Sequence, residues 1–182
     1  MRKQKGFSLI ELLIVVAIIL IIAAIAIPNL MRSKQAANQA AAASTIRTLV
    51  SAEHTFSSTF GPTAGFAGGL VQLGPGAATC IAPHPDTVNA CIIDFTLGCL
   101  AGVSGTFCLK DNYNYTISAI GAAAPFADYM IFATPNGPTI GLTDYCASSD
   151  GVVRFEPSPG GTPPSPVINT VAGCTTAPFQ PL

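Results

Sequence analysis

The sequence contains few charged residues and lacks the common catalytic motifs. Charged residues make up 9% of the 182, with eight Lys and Arg against nine Asp and Glu. Only five of those cations lie beyond residue 6, so no basic surface for a nucleic-acid backbone is expected. No Walker-type glycine loop, G-x-S-x-G or H-E-x-x-H is present. These absences argue against a nucleic-acid-binding protein, an ATPase and the common hydrolases, and we expect no catalytic residue.

Cysteine is missing from the first 79 residues. The six cysteines that follow form no C-x-x-C or C-x-x-C-H, and the two histidines are not spaced for a zinc site. We therefore expect neither a metal nor another cofactor. The even number of cysteines behind an apolar segment favours disulfides and a distal half outside the cytoplasm, with reduced cytosolic thiols as the alternative.

A long apolar run follows a short basic leader, MRKQKG. Sixteen consecutive apolar residues extend from Leu12 to Ile27. A helix from Phe7 to Met31 would be about 37 Å long, more than the roughly 30 Å of a bilayer's hydrocarbon core. The basic leader indicates the cytoplasmic side, so we expect one crossing with the bulk of the chain outside. A cleaved secretory signal is the alternative, because AAIAIPNL contains small residues.

Two residues in this segment are unusual for a plain anchor. Glu11 places a carboxylate near the start of the apolar run, where a charge costs at least a few kcal/mol and is therefore expected to be functional. A glutamate that simply faces water near the headgroups is the alternative. Pro28 removes one helical hydrogen bond and is expected to kink the helix.

The segment GFSLIELLIVVAIILIIAAIAIPN resembles the N-terminus of type IV prepilins and of the pseudopilins of type II secretion. Gly6 ends the leader, Phe7 follows it, and Glu11 and Pro28 stand in the family's register. The resemblance implies that a prepilin peptidase cuts between Gly6 and Phe7 and methylates the new amino group of Phe7. At Leu20 the family commonly has glycine, so the extent of helix melting near Pro28 stays open.

The resemblance also gives Glu11 a role in assembly. It implies that the carboxylate pairs with the terminal amine of a neighbouring subunit. A buried carboxylate without a partner is unfavourable, and a neighbour's ammonium relieves that cost only when the subunit docks in register. Glu11 would thus select correct assembly more than it adds stability.

By this resemblance, the chain is a structural subunit that starts as an inner-membrane precursor and polymerises through its N-terminal helix into an extracellular type IV pilus. The implied partners are further copies of the chain, the prepilin peptidase, and the pilus assembly platform with its ATPase. A pseudopilin of a type II secretion system is the alternative. A single-pass anchored enzyme or binding protein is a third possibility, which would have no use for Glu11.

The rest of the sequence predicts an α+β head, in which a long helix packs on a small antiparallel β-meander tied by disulfides, as in the pilin fold. An apolar stripe marks the helix, Gly61 and Pro62 are expected to end it, and strand patterns occupy 113–120, 128–135, 142–146 and 151–156. The expected segments are the leader (1–6), the transmembrane and assembly helix (7–31), the amphipathic helix (32–60), a cysteine-containing loop region (61–109), the sheet (110–156) and a Pro/Gly-rich C-terminal segment (157–182).

Three acidic residues of the head suggest specific contacts. Glu53 lies near the middle of the helix's apolar stripe, and we consider that it meets a cation from the sheet, with Arg154 as the leading candidate, or lies at the edge where the helix leaves the head. Asp144 and Asp150 bracket the last predicted hairpin and could bind calcium, although turn and cap roles are commoner for aspartate.

The six cysteines allow fifteen pairings, and sequence orders them weakly. Cys80 and Cys91 enclose a ten-residue loop, and Cys99 and Cys108 an eight-residue one, so each pair can close locally. That leaves Cys146 to bind Cys174 and so to anchor a C-terminal segment that offers few other apolar contacts.

Overall fold

The computed structural model describes residues 8–75, 80, 86–98, 108–121, 123–157, 171–176 and 178–182. These residues form three helices and six strands. In chain order the elements are α1 (Leu9–Ala64), α2 (Leu70–Leu73), β1 (Cys108–Lys110), β2 (Tyr113–Ile120), β3 (Asp128–Pro135), β4 (Thr143–Ser148), β5 (Val153–Pro157), α3 (Val171–Thr175) and β6 (Gln180–Pro181).

Helix α1 dominates the molecule with 56 residues, a length of about 84 Å at 1.5 Å per residue. Its second half is rich in alanine, the best helix former. The prediction that Gly61 and Pro62 end the helix was wrong by one turn, because α1 continues to Ala64. The fixed φ of Pro62 suits a helix, so the ring removes one hydrogen bond without ending the helix.

The strands form one antiparallel sheet in sequential order from β1 to β6. The expected α+β architecture is therefore confirmed, with β2 and β3 at the predicted bounds and paired over eight residues. The sequence predicted three or four strands, whereas the described residues contain six. The additional strands β1 and β6 have only three and two residues and pair with β2 and β5 at the two edges. Such short segments carry no readable alternation.

The sheet buries apolar side chains on both faces. One face packs against α1, whose buried residues include Ile46, Leu49 and Phe56. A second cluster contains Met130, Phe132, Cys146, Cys174 and Phe179 and brings the C-terminal segment onto the sheet. The head is therefore a three-layer arrangement of helix, sheet and C-terminal segment.

The C-terminal segment is better anchored than its composition suggests. The Phe179 ring is buried and lies 6.3 Å from that of Phe132. Strand β6 pairs with β5, and the Leu182 N–H donates to the Val153 carbonyl at 3.0 Å. One aromatic residue and a few backbone hydrogen bonds thus supplement Cys174 in holding the end of the chain.

Candidate assembly segment

Glu11 lies in the first turn of α1 and contacts the backbone at the start of its own helix. Its Oε2 accepts a hydrogen bond from the Ser8 N–H at 3.0 Å. A carboxylate is favoured there because the first N–H groups of a helix have no intrahelical acceptor and carry partial positive charge. The Ser-x-x-Glu spacing of Ser8 and Glu11 is a capping signature that sequence reasoning could have used.

The processing residues themselves are outside the part of the chain that the structure describes. Gly6 and Phe7 immediately precede the first described residue, Ser8. Pro28 lies inside α1, 17 residues after Glu11, or about 25 Å along the helix axis. The two predicted assembly residues are therefore at opposite ends of the apolar segment and do not contact each other.

The first half of α1 is apolar and uncovered. Its large apolar side chains from Leu9 to Met31 are between 45% and 80% exposed, on all sides of the helix. Among the described residues, α1 is also the one helix long and apolar enough to cross a membrane by length and composition. Exposing an apolar surface of this size to water is unfavourable, so we expect lipid or other protein to cover it.

Two amide side chains of α1 form hydrogen bonds with the head. Gln35 Nε2 donates to the Thr139 carbonyl at 3.2 Å, and Asn38 Nδ2 donates to the Ile140 carbonyl at 3.1 Å. Both acceptors lie in the connection between β3 and β4. These two bonds mark where the exposed half of the helix gives way to the half that packs on the sheet, and their i, i+3 spacing was a signal that sequence reasoning missed.

The hypothesis that Glu53 pairs with Arg154 was wrong, and so was the alternative that Glu53 lies at the edge of the head. Glu53 is fully buried, and its Oε2 accepts a hydrogen bond from the Ala67 N–H at 2.9 Å. Burial raises the pKa of Glu53 to about 8, against the smaller opposing effect of the Ala67 hydrogen bond.

Arg154 instead pairs with Asp150 across the turn between β4 and β5. Arg154 Nη1 donates to Asp150 Oδ1 at 3.2 Å, and the same oxygen accepts from the Ser148 hydroxyl and the Val152 N–H, each at 3.0 Å. The carboxylate therefore serves the turn, which does not support the calcium hypothesis. Among the described residues, no group of three His, Cys, Asp or Glu side chains is arranged to hold a metal ion.

Two of the three expected disulfides lie among the described residues. Cys80 is bonded to Cys91, and Cys146 on β4 is bonded to Cys174 on α3. Cys108 is also disulfide-bonded. Its expected partner, Cys99, lies outside the described residues, so that pairing stays a prediction.

Residues 1–27 match the family model of the prokaryotic N-terminal methylation motif. The match contains the leader, Glu11 and the apolar segment that α1 presents uncovered. The N-terminal segment thus carries the motif that its resemblance to type IV prepilins and pseudopilins implied.

Curated relatives named as type IV pilins and as type II secretion proteins match parts of the chain. The chain is 63% identical over 38 residues to the type IV wide pilus major component PilA4 of Thermus thermophilus, which is 21% of this chain and 29% of the relative. It is 46% identical over 54 residues to the type IV major pilin protein PilA of Myxococcus xanthus, covering 30% and 24% of the two chains. It is 43% identical over 51 residues to the type II secretion system core protein G of Aeromonas hydrophila, covering 28% and 36%.

The similarity is confined to a minor part of each protein. The chain spans about a quarter to a third of the length of the curated relatives that it matches. No solved structure matches the chain. The N-terminal segment is therefore characterised by its methylation motif, whereas the head is described by its own fold.

Proposed function

We propose that this protein is the structural subunit of a type IV pilus, polymerising through its N-terminal helix into an extracellular filament. The observation that carries the proposal is the apolar half of α1, exposed on all sides, with Glu11 in its first turn. Lipid would cover this surface in the precursor, and neighbouring helices would cover it in the filament. The role is structural, and no residue is proposed to be catalytic.

Glu11 makes packing against this surface selective for subunits that dock in the correct register. Its carboxylate already accepts the Ser8 N–H, but an ionised carboxylate offers about four acceptor positions and can take a further donor. We propose that the prepilin peptidase cuts between Gly6 and Phe7 and methylates the Phe7 amine, and that this amine binds Glu11 of a neighbouring subunit. Subunits docked out of register would leave both charges unpaired in an apolar environment, which is strongly unfavourable.

The assembly route follows from the same segment. The precursor waits in the inner membrane with its head outside, and an assembly platform with its ATPase extracts it. Pro28 lacks the N–H that would bond to the carbonyl four residues earlier, so the helix is weakest near that point. We propose that this point yields when subunits pack, while the head, fixed to the second half of α1, moves as a unit.

A second candidate is a pseudopilin of a type II secretion system. It is favoured by two relatives named type II secretion system core protein G, from Aeromonas hydrophila and Vibrio cholerae, the latter 44% identical over 52 residues. The two candidates differ in their product. A pilin gives long filaments that can be sheared from the cell surface, whereas a pseudopilin is required for the release of secreted proteins.

Glu11→Gln tests the assembly role directly. The variant should insert into the membrane and fold its head like the wild type, because glutamine keeps the shape and removes only the charge. Filament yield should fall more than about tenfold, since the docked ammonium would be buried without its partner. The measurement is the amount of subunit in the sheared filament fraction relative to the membrane fraction.

Glu156→Gln on β5 is the matched control, because it makes the same chemical change in the head. It should assemble at the wild-type level. Equal filament yields for Glu11→Gln and the wild type would contradict the proposed role of Glu11.

A further inference from the structure

Glu53 is a buried carboxyl group that the assembly mechanism does not use. It lies on the half of α1 that packs against the head and is fully buried. Oε2 accepts the Ala67 N–H at 2.9 Å, while Oε1 is buried without a hydrogen-bond partner among the described residues. One oxygen is thus used as an acceptor, and the other is enclosed without a hydrogen-bond donor among the described residues.

The groups around Glu53 do not compensate a negative charge. Tyr129 on β3 is fully buried, and burial raises the pKa of its hydroxyl, with smaller contributions from the negative charges of Glu53, Asp128 and Asp150. The sheet cations are engaged elsewhere, since Arg154 pairs with Asp150 and Lys110 with Asp94. His54, the next residue on α1, is exposed. Its ring centroid lies 6.2 Å from that of Tyr129.

The contact partner of Glu53 belongs to a tightly packed connection, residues 64–67, that we call the post-helix junction. The Phe126 N–H donates to the Ala64 carbonyl at 3.1 Å, and the Phe66 N–H donates to the Phe126 carbonyl at 3.0 Å. Gly65 has a φ of 70°, and a Cβ there would overlap the Phe126 backbone. The Phe66 ring lies 4.8 Å from that of Tyr129.

We propose that Glu53 is a proton-binding latch, in which a neutral carboxylic acid holds the post-helix junction against α1 and loss of its proton loosens that junction. The hydrogen bond from Ala67 spans 14 residues and fixes the point where the chain leaves the helix for the head. An ionised Glu53 would place an uncompensated charge between α1, the junction and β3, which the structure can relieve only by opening to water.

Electrostatics agrees with this geometry. Burial raises the pKa of Glu53 from 4.5 to about 8. In the unfolded chain the proton leaves near pH 4.5, so the folded state holds one more proton from there up to about pH 8. The stability that the neutral acid contributes is complete below pH 4.5 and is lost as the pH rises through this window.

The test is urea unfolding of the full chain in detergent micelles at pH 5, 6, 7 and 8, for the wild type, Glu53→Gln and the Glu156→Gln control. All four tyrosines lie in the head, so their near-ultraviolet circular dichroism reports head unfolding. The ratio of the wild-type folding constant to that of Glu53→Gln should fall about tenfold per pH unit, as expected for one linked proton. Glu156→Gln should follow the wild type. Parallel profiles for the wild type and Glu53→Gln would overturn the proposal.

Infrared spectroscopy of the wild type and of Glu11→Gln keeps the proposal testable if Glu53→Gln does not fold. The chain has three glutamates, so ¹³C-labelled glutamate gives few carboxyl bands. Both proteins should show the C=O stretch of a protonated carboxylic acid at pH 6.5, and the band should vanish on titration above pH 8. Absence of this band from folded Glu11→Gln at pH 6.5 would show that Glu53 is ionised and would overturn the latch.

Discussion

Single residues show what a sequence can indicate about a contact. Glu11 and Glu53 were both recognised as charges in apolar surroundings. For Glu53 the sequence suggested a cation, but in the described part of the chain the structure supplies a backbone N–H from Ala67 and no ion pair. A backbone donor 14 residues away leaves no mark in the amino-acid sequence, because any residue at position 67 except proline would offer it. Sequence therefore located the unusual carboxyls but not the partner of the buried one.

Asp150 provides a residue-scale prediction with a defined pH dependence. The hydrogen bond from Arg154 is the main cause that lowers the pKa of Asp150 below 3.8. Its contribution to stability is therefore present above pH 3.8 and is lost as the pH falls through the lowered pKa. The Asp150 side chain is 38% exposed, so Asp150→Asn should cost at most about 1 kcal/mol at pH 7.

The Asp150→Asn cost should be smaller at pH 2 than at pH 7, because the wild-type carboxyl gains its proton as the pH falls through its lowered pKa. Urea unfolding at both pH values measures the difference. Asp111→Asn is a suitable control, because Asp111 has a φ of 49° and asparagine tolerates that conformation equally well. A cost for Asp150→Asn that is the same at pH 7 and pH 2 would show that the ion pair is not its origin.

At the scale of elements, the bounds of the longer strands could be predicted from sequence and those of the shortest elements could not. Strands β2 and β3 have eight residues each and alternate or contain many β-branched and aromatic side chains, so their bounds were predicted correctly. Strands β1 and β6 and helix α2 are too short for any period to be read. They form because neighbouring strands and the helix provide hydrogen-bond partners and apolar surface, which are tertiary effects.

The C-terminal segment depends most on one covalent link, and this gives an element-scale prediction. Cys146 and Cys174 are 28 residues apart, so removing their bond should cost about 3.6 kcal/mol of unfolding free energy in the chain-entropy model. The double variant Cys146→Ala/Cys174→Ala should also expose Met130 and Phe132 to solvent. Urea unfolding and binding of an apolar dye measure the two effects.

Cys80→Ala/Cys91→Ala is the matched comparison. This bond closes a shorter interval of 11 residues, so the same model gives a smaller loss. It should leave the cluster of Met130 and Phe132 covered, because neither cysteine packs there. Dye binding by this variant equal to that of Cys146→Ala/Cys174→Ala would contradict the assignment of the C-terminal segment as the cover of the sheet.

The whole molecule divides into a part that other subunits or lipid must cover and a part that is complete by itself. The first half of α1 exposes its apolar side chains, whereas the sheet has both faces covered. The sequence predicted this division well, because a membrane requires an unbroken apolar helix and leaves little freedom in composition. The family-model match covers residues 1–27 of this N-terminal part, and the fold of the head had to be read from its structure.

The central claim is that the chain is cut before Phe7 and then assembles through the apolar half of α1. Intact-mass spectrometry of subunits from sheared surface filaments, combined with electron microscopy of the same sample, tests this claim most directly. We expect filaments whose subunit begins at N-methylated Phe7, with the disulfides intact. A filament subunit that still begins at Met1, or one that begins near Asn29, would contradict the account.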